Sequence, residues 1–385
     1  MMKDVKIVIG ANYGDEGKGL LTHHFVKDAI MQYQSPIVIL HNGTAQRGHT
    51  VDYNPHYRHV YHHFGCGTKE GVRTFFAKTF WLHPMTFCHE WNELVADGII
   101  PPICFCDPDA KVVTPFDMMV DHATEAYITK IHQEPEHGSC GYGTWCATDR
   151  EPDEIYSISD YFKFIEEGTI DYFLDRVFGR CVIELFNRGV DPDKIPEFHK
   201  YLFDSKVKQT TKEHFIYDLL FFKERVSLVS FDFIYDNYSN IIFEGAQGLG
   251  LNKNCIDDWH TTSFTNIKNP FDMLRGKEDF SAEVCYVTRS YATRHGLGFM
   301  ENEVSKKEIN NDMIDQTNVP NEFQGTLRYG CPECRTLSRI ETDFRLVSKD
   351  SRFTQSLAVT HCNEFENIFN NAAYISNNPF SVLKV

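Results

Sequence analysis

The stretch Val5-Lys-Ile-Val-Ile-Gly-Ala-Asn-Tyr-Gly-Asp-Glu-Gly-Lys-Gly19 limits what this chain can fold into more than any other. A short apolar run breaks into glycines at 10, 14, 17 and 19, interleaved with Asp15, Glu16 and Lys18. This is the pattern of a buried strand feeding a tight turn and then a helix: glycine lets the backbone turn sharply and approach an anion, and a helix N-terminus favours negative charge. Lys18 then sits among phosphate oxygens. The spacing is not that of the common P-loop, G-x-x-x-x-G-K-[ST], which needs glycine at 12 and a hydroxyl at 19, where this chain has Asn12 and Gly19. Asp15 is the informative residue. A carboxylate pointed into a phosphate cradle is unfavourable unless it binds a metal or takes a proton, so the turn points to chemistry rather than to storage of a phosphorylated ligand.

The same logic recurs along the chain. Ser35-Pro-Ile-Val-Ile-Leu-His41 reads as a second buried strand running into a donor-rich loop with Gln46, Arg47, Gly48, His49 and Thr50, where open α/β sheets place ligands. His49 lies between Gly48 and Thr50 in a polar loop, which favours a ligand-facing or solvent-facing ring over a core one. Ser239–Gly250 repeats the strand-to-glycine turn with Glu244 and Gln247 inside it. Polar segments follow at 261–266, at 285–298 and at 321–330, the last carrying Thr326 and Arg328. The planar fork of an arginine among Gly, Thr and Gln suits a carboxylate or phosphate. Residues 83–98, opened by Pro84 and closed by Gly98, and residues 117–132 have helical spacing; 136–145 is a Gly/Ser/Thr loop of the kind that wraps a ligand. The segment 151–238 has helical periodicity and no readable chemistry.

A chain of 385 residues can bury a large core, either as one α/β unit with insertions or as two closely packed lobes. Its 38 basic and 54 acidic residues give a net charge of −16, which argues against a nucleic-acid or anionic-membrane partner. The N-terminal apolar run is too short for a signal peptide, and no window approaches the roughly 18 apolar residues of a membrane span, so a soluble, cytoplasmic protein is expected. The twelve cysteines are scattered, many in apolar stretches, as reduced thiols are. Cys331 and Cys334 form the one tight pair and lack the second pair that a structural zinc site would use.

Taken together, Gly14-Asp-Glu-Gly-Lys-Gly19, Gly48-His-Thr50, Phe243-Glu-Gly-Ala-Gln-Gly248, Thr262-Ser263 and Thr293-Arg-x-Gly-x-Gly298 resemble, in order, segments of the adenylosuccinate synthetase family. The resemblance covers residues 5–330 with gaps. It implies a single catalytic domain over 1–385, with helical insertions around 83–135 and 151–238. The fold it implies is α/β, a large mixed, mostly parallel central sheet flanked by helices and related to P-loop NTPases. The activity it implies is a ligase, working as a homodimer, that uses GTP or ATP with Mg²⁺ to join L-aspartate to C6 of a 6-oxopurine nucleotide such as IMP. Under that resemblance Asp15 takes the purine N1 proton and, with the Gly48 carbonyl, holds the metal. Gly14, Glu16, Gly17, Lys18, Gly19, Gly48 and Thr50 surround donor phosphate. His49 donates to the transferring phosphoryl group, and Gln247 holds the purine 6-position. Gln46, Thr262 and Ser139 or Cys140 hold the purine nucleotide, and Thr326 with Arg328 the aspartate.

The departures are specific. Gln324-Gly-Thr-Leu-Arg-Tyr-Gly330 has one arginine where the family's aspartate loop has several, as in its compact archaeal and phage branch. Thr360-His-Cys-Asn363 falls where the family reads guanine with a carboxylate; an Asn amide cannot accept from both guanine N–H donors, which opens the site to ATP. Only Arg150 is a candidate for the family's subunit-crossing arginine. A phage-type acceptor, dGMP, stays open beside IMP. A non-catalytic purine-nucleotide sensor would need the pocket but not Asp15, Lys18, His49 and Gln247 together.

Overall fold

The computed structural model describes residues 2–132, 141–255, 260–315, 325–332 and 335–385. The apolar run before the glycine turn forms the strand Lys3–Gly10 (β1), and the turn delivers the chain into the helix Lys18–Met31 (α1). Pro36–Leu40 (β2) follows, then a hairpin of His49–Asn54 (β3) and Tyr57–Tyr61 (β4), and then Arg73–Phe76 (β5). Among the described residues a ten-stranded sheet runs in the order Ser381–Lys384, Tyr374–Asn378, Phe353–Thr360, Phe280–Arg289, β1, Asn240–Gly248, β2, β5, Cys104–Cys106, Val226–Leu228. Neighbours pair in parallel except for the outermost hairpin of Tyr374–Asn378 with Ser381–Lys384. This is the mostly parallel α/β sheet that the sequence predicts.

Both faces of the sheet are covered, which is why its central strands read as continuous apolar runs. Val5, Ile7 and Ile9 of β1 and Ile37 and Ile39 of β2 point into one core. Val8, Val38 and Leu40 point into the other, beneath α1 and the helices Pro84–Ala96 (α2) and Pro115–Tyr127 (α3). α2 has its proline in the first turn and the His83 side chain as its N-cap, while α3 starts two residues earlier than the spacing predicts, because Pro115 and a Thr114/Asp117 capping box fix its first residue. After Thr144–Thr148 (α4), the chemically silent segment folds mainly as Ile158–Glu166 (α5), Ile170–Asn187 (α6), His199–Phe203 (α7) and Ser205–Arg225 (α8). A small three-stranded sheet of Ala292–Arg294, Arg328–Gly330 and Glu303–Val304 packs on its own core of Tyr291, Ile309, Met313, Leu327 and Tyr329.

β1 is the point where the strand order reverses, with Asn240–Gly248 on one side and Phe280–Arg289 on the other. Ligands of open α/β sheets bind beyond the carboxyl ends of the strands at such a point. The ladder between β1 and Asn240–Gly248 is irregular there: Val8 pairs with Glu244, but Gly10 pairs with Gly248, so three residues oppose one. Gly248 must be glycine because a Cβ would run into the Asn12 carbonyl and lie 2.6 Å from Glu16 Oε1. Gly248→Ala is therefore expected to destabilise the protein by about 1–3 kcal/mol, the usual cost of overpacking, and an unchanged denaturant midpoint would show that the turn can move aside.

Candidate active site

A cleft of about 760 Å³ opens over the carboxyl ends of the central strands. It collects residues that the sequence assigned from distant segments: Gly14, Asp15, Glu16, Gly17, Lys18 and Gly19, then Gln46, Gly48, His49 and Thr50, then Gln247 and Asn363. The β3–β4 hairpin contributes Asp52, His56 and Arg58 to its lining, and Asn378, Pro379 and Phe380 line it as well.

The glycine turn is held by Glu16. Its Oε1 accepts from the Asn12 and Gly14 amides at 3.0 and 2.9 Å, and Oε2 lies 2.6 Å from Lys18 Nζ. Glu16 and Lys18 are both almost fully buried. The turn thus differs from the expected cradle: two of its amides are spent on an internal carboxylate, and Glu16 acts as a staple rather than facing phosphate. The first turn of α1, Lys18 to Leu20, lines the cleft, and first-turn amides of any helix lack intrahelical partners. Gly17, at φ 93°, makes the left-handed entry to α1.

Asp15 points the other way. Its backbone is left-handed, φ 59°, and its side chain keeps 30% of its surface exposed in the cleft. Oδ2 lies 3.4 Å from His295 Nε2. The turn is pinned from outside as well, the Asp15 carbonyl by Arg289 Nε at 2.6 Å and the Glu16 carbonyl by the Thr360 hydroxyl at 2.8 Å.

His49 is oriented by Glu244, whose Oε1 lies 2.5 Å from His49 Nδ1. Glu244 is buried and also takes Arg47 Nη2 at 2.8 Å, the Cys66 thiol at 2.8 Å and the Cys66 amide at 3.1 Å. Burial alone would raise its pKa, but the Arg47 charge and the hydrogen bonds from His49 and Cys66 outweigh that and hold it at about 2. Burial, helped by the Arg47 charge, lowers His49 to about 4. The resting ring is neutral, with its Nδ1 proton on Glu244, so Nε2 is an acceptor, and it donates to a phosphoryl group only once protonated.

Gln247 sits in the irregular ladder at φ 61°, and its Oε1 is buried with no hydrogen-bond partner in the protein. A buried acceptor of this kind facing a cleft is suited to a ligand donor. Gln46 Oε1 accepts from the Thr144 hydroxyl at 3.1 Å, beside Tyr142 at the same end of the cleft. Thr50 Oγ1 accepts from Arg58 at 3.4 Å.

Other expected residues are placed elsewhere. Thr262 is half-buried outside the cleft lining, with its hydroxyl unpartnered. Thr326 is exposed, and Arg328 is turned onto Glu303, at 2.9 and 2.5 Å, and onto the carbonyls of Gly296 and Gly298. The fork that the sequence assigned to aspartate is thus spent on an internal carboxylate and two carbonyls. Asn363 lines the cleft, but its amide donates to Glu364 Oε1 at 2.9 Å, so this end of the cleft does have a carboxylate, one residue beyond the expected one. Arg150 is buried in an ion pair with Asp117, the capping residue of α3, and does not reach outward. Ser139, Cys140 and Cys334 lie outside the described residues. Sequence reasoning noted Glu244 without a role and missed Arg289, His295 and Glu364 entirely; Glu244 was signalled by its place between strand and glycine turn, the others by nothing local.

Fold and site define an α/β protein with a cleft at the switch point of its sheet and a carboxylate set into the glycine turn. Residues 7–151 match the family model described as adenylosuccinate synthetase. The adenylosuccinate synthetase of Acetivibrio thermocellus is 25% identical over 304 residues, covering 76% of this chain and 64% of that protein. That of Nitratidesulfovibrio vulgaris is 26% identical over 140 residues, 36% of this chain and 30% of its own length, so the chain spans less than two thirds of these relatives. In fold, the fully ligated adenylosuccinate synthetase of Plasmodium falciparum superposes with a TM-score of 0.66 over 94% of this chain and 78% of its own, at 16% identity. The succinoaminodeoxyadenylate synthetase of cyanophage S-2L, bound to dGMP and to dATP as energy donor, covers 100% of this chain and 96% of its own with a TM-score of 0.60 and 13% identity. The sequence likeness, strongest over the N-terminal part, is to adenylosuccinate synthetases, and the fold likeness extends over nearly the whole chain.

The Glu244 cluster yields a test of the site's electrostatics. Glu244→Gln leaves Arg47 buried without its counter-charge and is expected to cost about 3–5 kcal/mol, as removing one partner of a buried pair does. A depressed carboxylate pKa gives stability that is present above the unfolded value and lost towards the folded one. The stability gap between wild type and variant should therefore stay constant above pH 4.5 and shrink as pH falls towards about 2. A gap independent of pH in urea titrations would show that Glu244 is not the ionised anchor.

Proposed function

We propose that the protein is a ligase that joins L-aspartate to C6 of a 6-oxopurine nucleotide, converting IMP to adenylosuccinate through a 6-phosphoryl intermediate with hydrolysis of a nucleoside triphosphate. The observation that carries this is the division of labour in the turn: Glu16 neutralises Lys18 inside it, while Asp15 is pushed into the cleft as a partly exposed carboxylate beside His295 and the α1 N-terminus. A storage site would have no use for that charge. In this reading Asp15 accepts the purine N1 proton, so that the 6-oxygen can attack the γ-phosphate. Gln247 holds the purine 6-position through its unpartnered oxygen, and the α1 amides with Lys18 hold the donor phosphates. His49, oriented by Glu244, sits at the transferring group. The cleft offers hard oxygen donors in the Asp15 carboxylate and the Gly48 carbonyl, which fit Mg²⁺. Bound there, the ion would supply charge neutralisation on the donor phosphates. The protein is read as a cytoplasmic homodimer; among the described residues no helix is long and apolar enough to cross a membrane.

A second reading, dGMP as acceptor with an adenine nucleotide as donor, is favoured by one observation. The chain and the cyanophage S-2L enzyme, which was bound to dGMP and dATP, cover each other almost completely. Incubating purified protein with aspartate and each pairing of IMP, dIMP, GMP or dGMP with GTP or ATP, and following the succinyl product by mass, separates the readings; absence of product from every pairing overturns both.

Asp15→Ala should abolish product formation with the fold intact, because Asp15 is a partly exposed turn residue. Turnover near wild type would remove it as the base. His49→Ala should lower kcat by about 10²-fold, the scale of losing one transition-state contact, whereas a change confined to KM would make it a ground-state binder.

A further inference from the structure

Asp15 is held in a left-handed conformation that is strained for any residue bearing a Cβ. Such strain persists only where the surroundings impose it. Glu16 and Thr360 hold the residues on either side, and the Asp15 carbonyl itself is held by Arg289, the last residue of the strand Phe280–Arg289. Its Nε donates to the Asp15 carbonyl at 2.6 Å, and its Nη1 donates to Asp315 Oδ2 at 2.7 Å and to the Tyr291 hydroxyl at 2.8 Å. Arg289 is 2% exposed and the Asp315 side chain 5%. Tyr291 belongs to the small core with Ile309, Met313, Leu327 and Tyr329. The planar guanidinium of Arg289 therefore joins the Asp15 carbonyl to the lobe that carries the small sheet, beside a second contact in which the Arg294 guanidinium lies 4.6 Å from the Tyr13 ring centroid. A lysine could not do the same, since a point charge lacks the fork that donates in two fixed directions.

We propose that Arg289 is a positioning residue for Asp15 and that Asp315 holds it in register, so that the lobe around residues 290–315 and the carboxylate in the turn behave as one mechanical unit. The proposal rests on Asp15 being the base in the reaction above. It goes beyond it in making the end of the central strand Phe280–Arg289, held by Asp315 of the small lobe, responsible for where that base stands.

Three variants test it: Asp315→Asn, which keeps the shape and removes the charge, Arg289→Lys, and the two combined. Each is measured for kcat, for KM of both acceptors, for affinity towards a non-hydrolysable donor triphosphate, and for amide hydrogen exchange in the peptide 11–19. The expected result is a fall in kcat of about ten- to a hundredfold, the scale of a small misplacement of a reacting group, with donor affinity unchanged and faster exchange in that peptide alone. The double variant should lose no more than the worse single one, because groups acting as a unit are not additive. Wild-type kcat and wild-type exchange in Asp315→Asn would overturn the proposal, as would additive losses. If wild type itself forms no succinyl product, the ligase reading fails, and the exchange of peptide 11–19 then decides the positioning role by itself.

Discussion

The structure depends first on a carboxylate that folds back on its own loop. Glu16 takes up two amides of the glycine turn and the charge of Lys18. An ordinary phosphate loop leaves its amides and its lysine for the ligand. Here the resting loop is already satisfied, and its geometry exists before anything binds. In the proposed reaction a triphosphate would compete with Glu16 for Lys18, and drawing the lysine onto phosphate would break the buried pair that holds the turn.

Buried charge is costly, and this cleft contains two anionic anchors behind its working surface, Glu16 and Glu244. Each is tolerated because it has a cation and further hydrogen bonds, and breaking either set would leave an uncompensated charge in the interior. The pairings also divide the site. Lys18 answers to the turn, whereas Arg47, His49 and Cys66 answer to the strand Asn240–Gly248. The side chains expected to meet ligand, Asp15 and Gln247, belong to neither network.

How much of this is legible in the sequence follows from range. The central strands are visible because burial on both faces leaves apolar runs ended by glycine, and the cleft residues are visible because each follows directly on such a run. Glu16's staple is also local, yet a carboxylate inside a phosphate loop reads as ligand-facing until its acceptors are seen. The partners of Arg289 and Arg328 are tertiary. Arg289 meets Asp15 from 274 residues away, and nothing near Cys285–Arg289 announces it. Arg328 has the right chemistry for aspartate, but Glu303, 25 residues upstream, meets it first across the small sheet. The segment Thr360–Asn363 shows only an amide, and the carboxylate beside it, Glu364, is the next residue in the chain.

The irregular ladder beside Gly10 has a consequence for how this strand can change over time. In a regular strand, residues three apart face opposite sides, so Glu244 and Gln247 could not both serve one cleft, the first from behind and the second from within. The two surplus residues within 245–247 interrupt that alternation. Replacing a side chain there retunes the pocket, whereas losing one residue leaves two residues opposing one, a smaller bulge rather than a regular ladder, and moves Gln247 relative to the carboxylate that anchors His49.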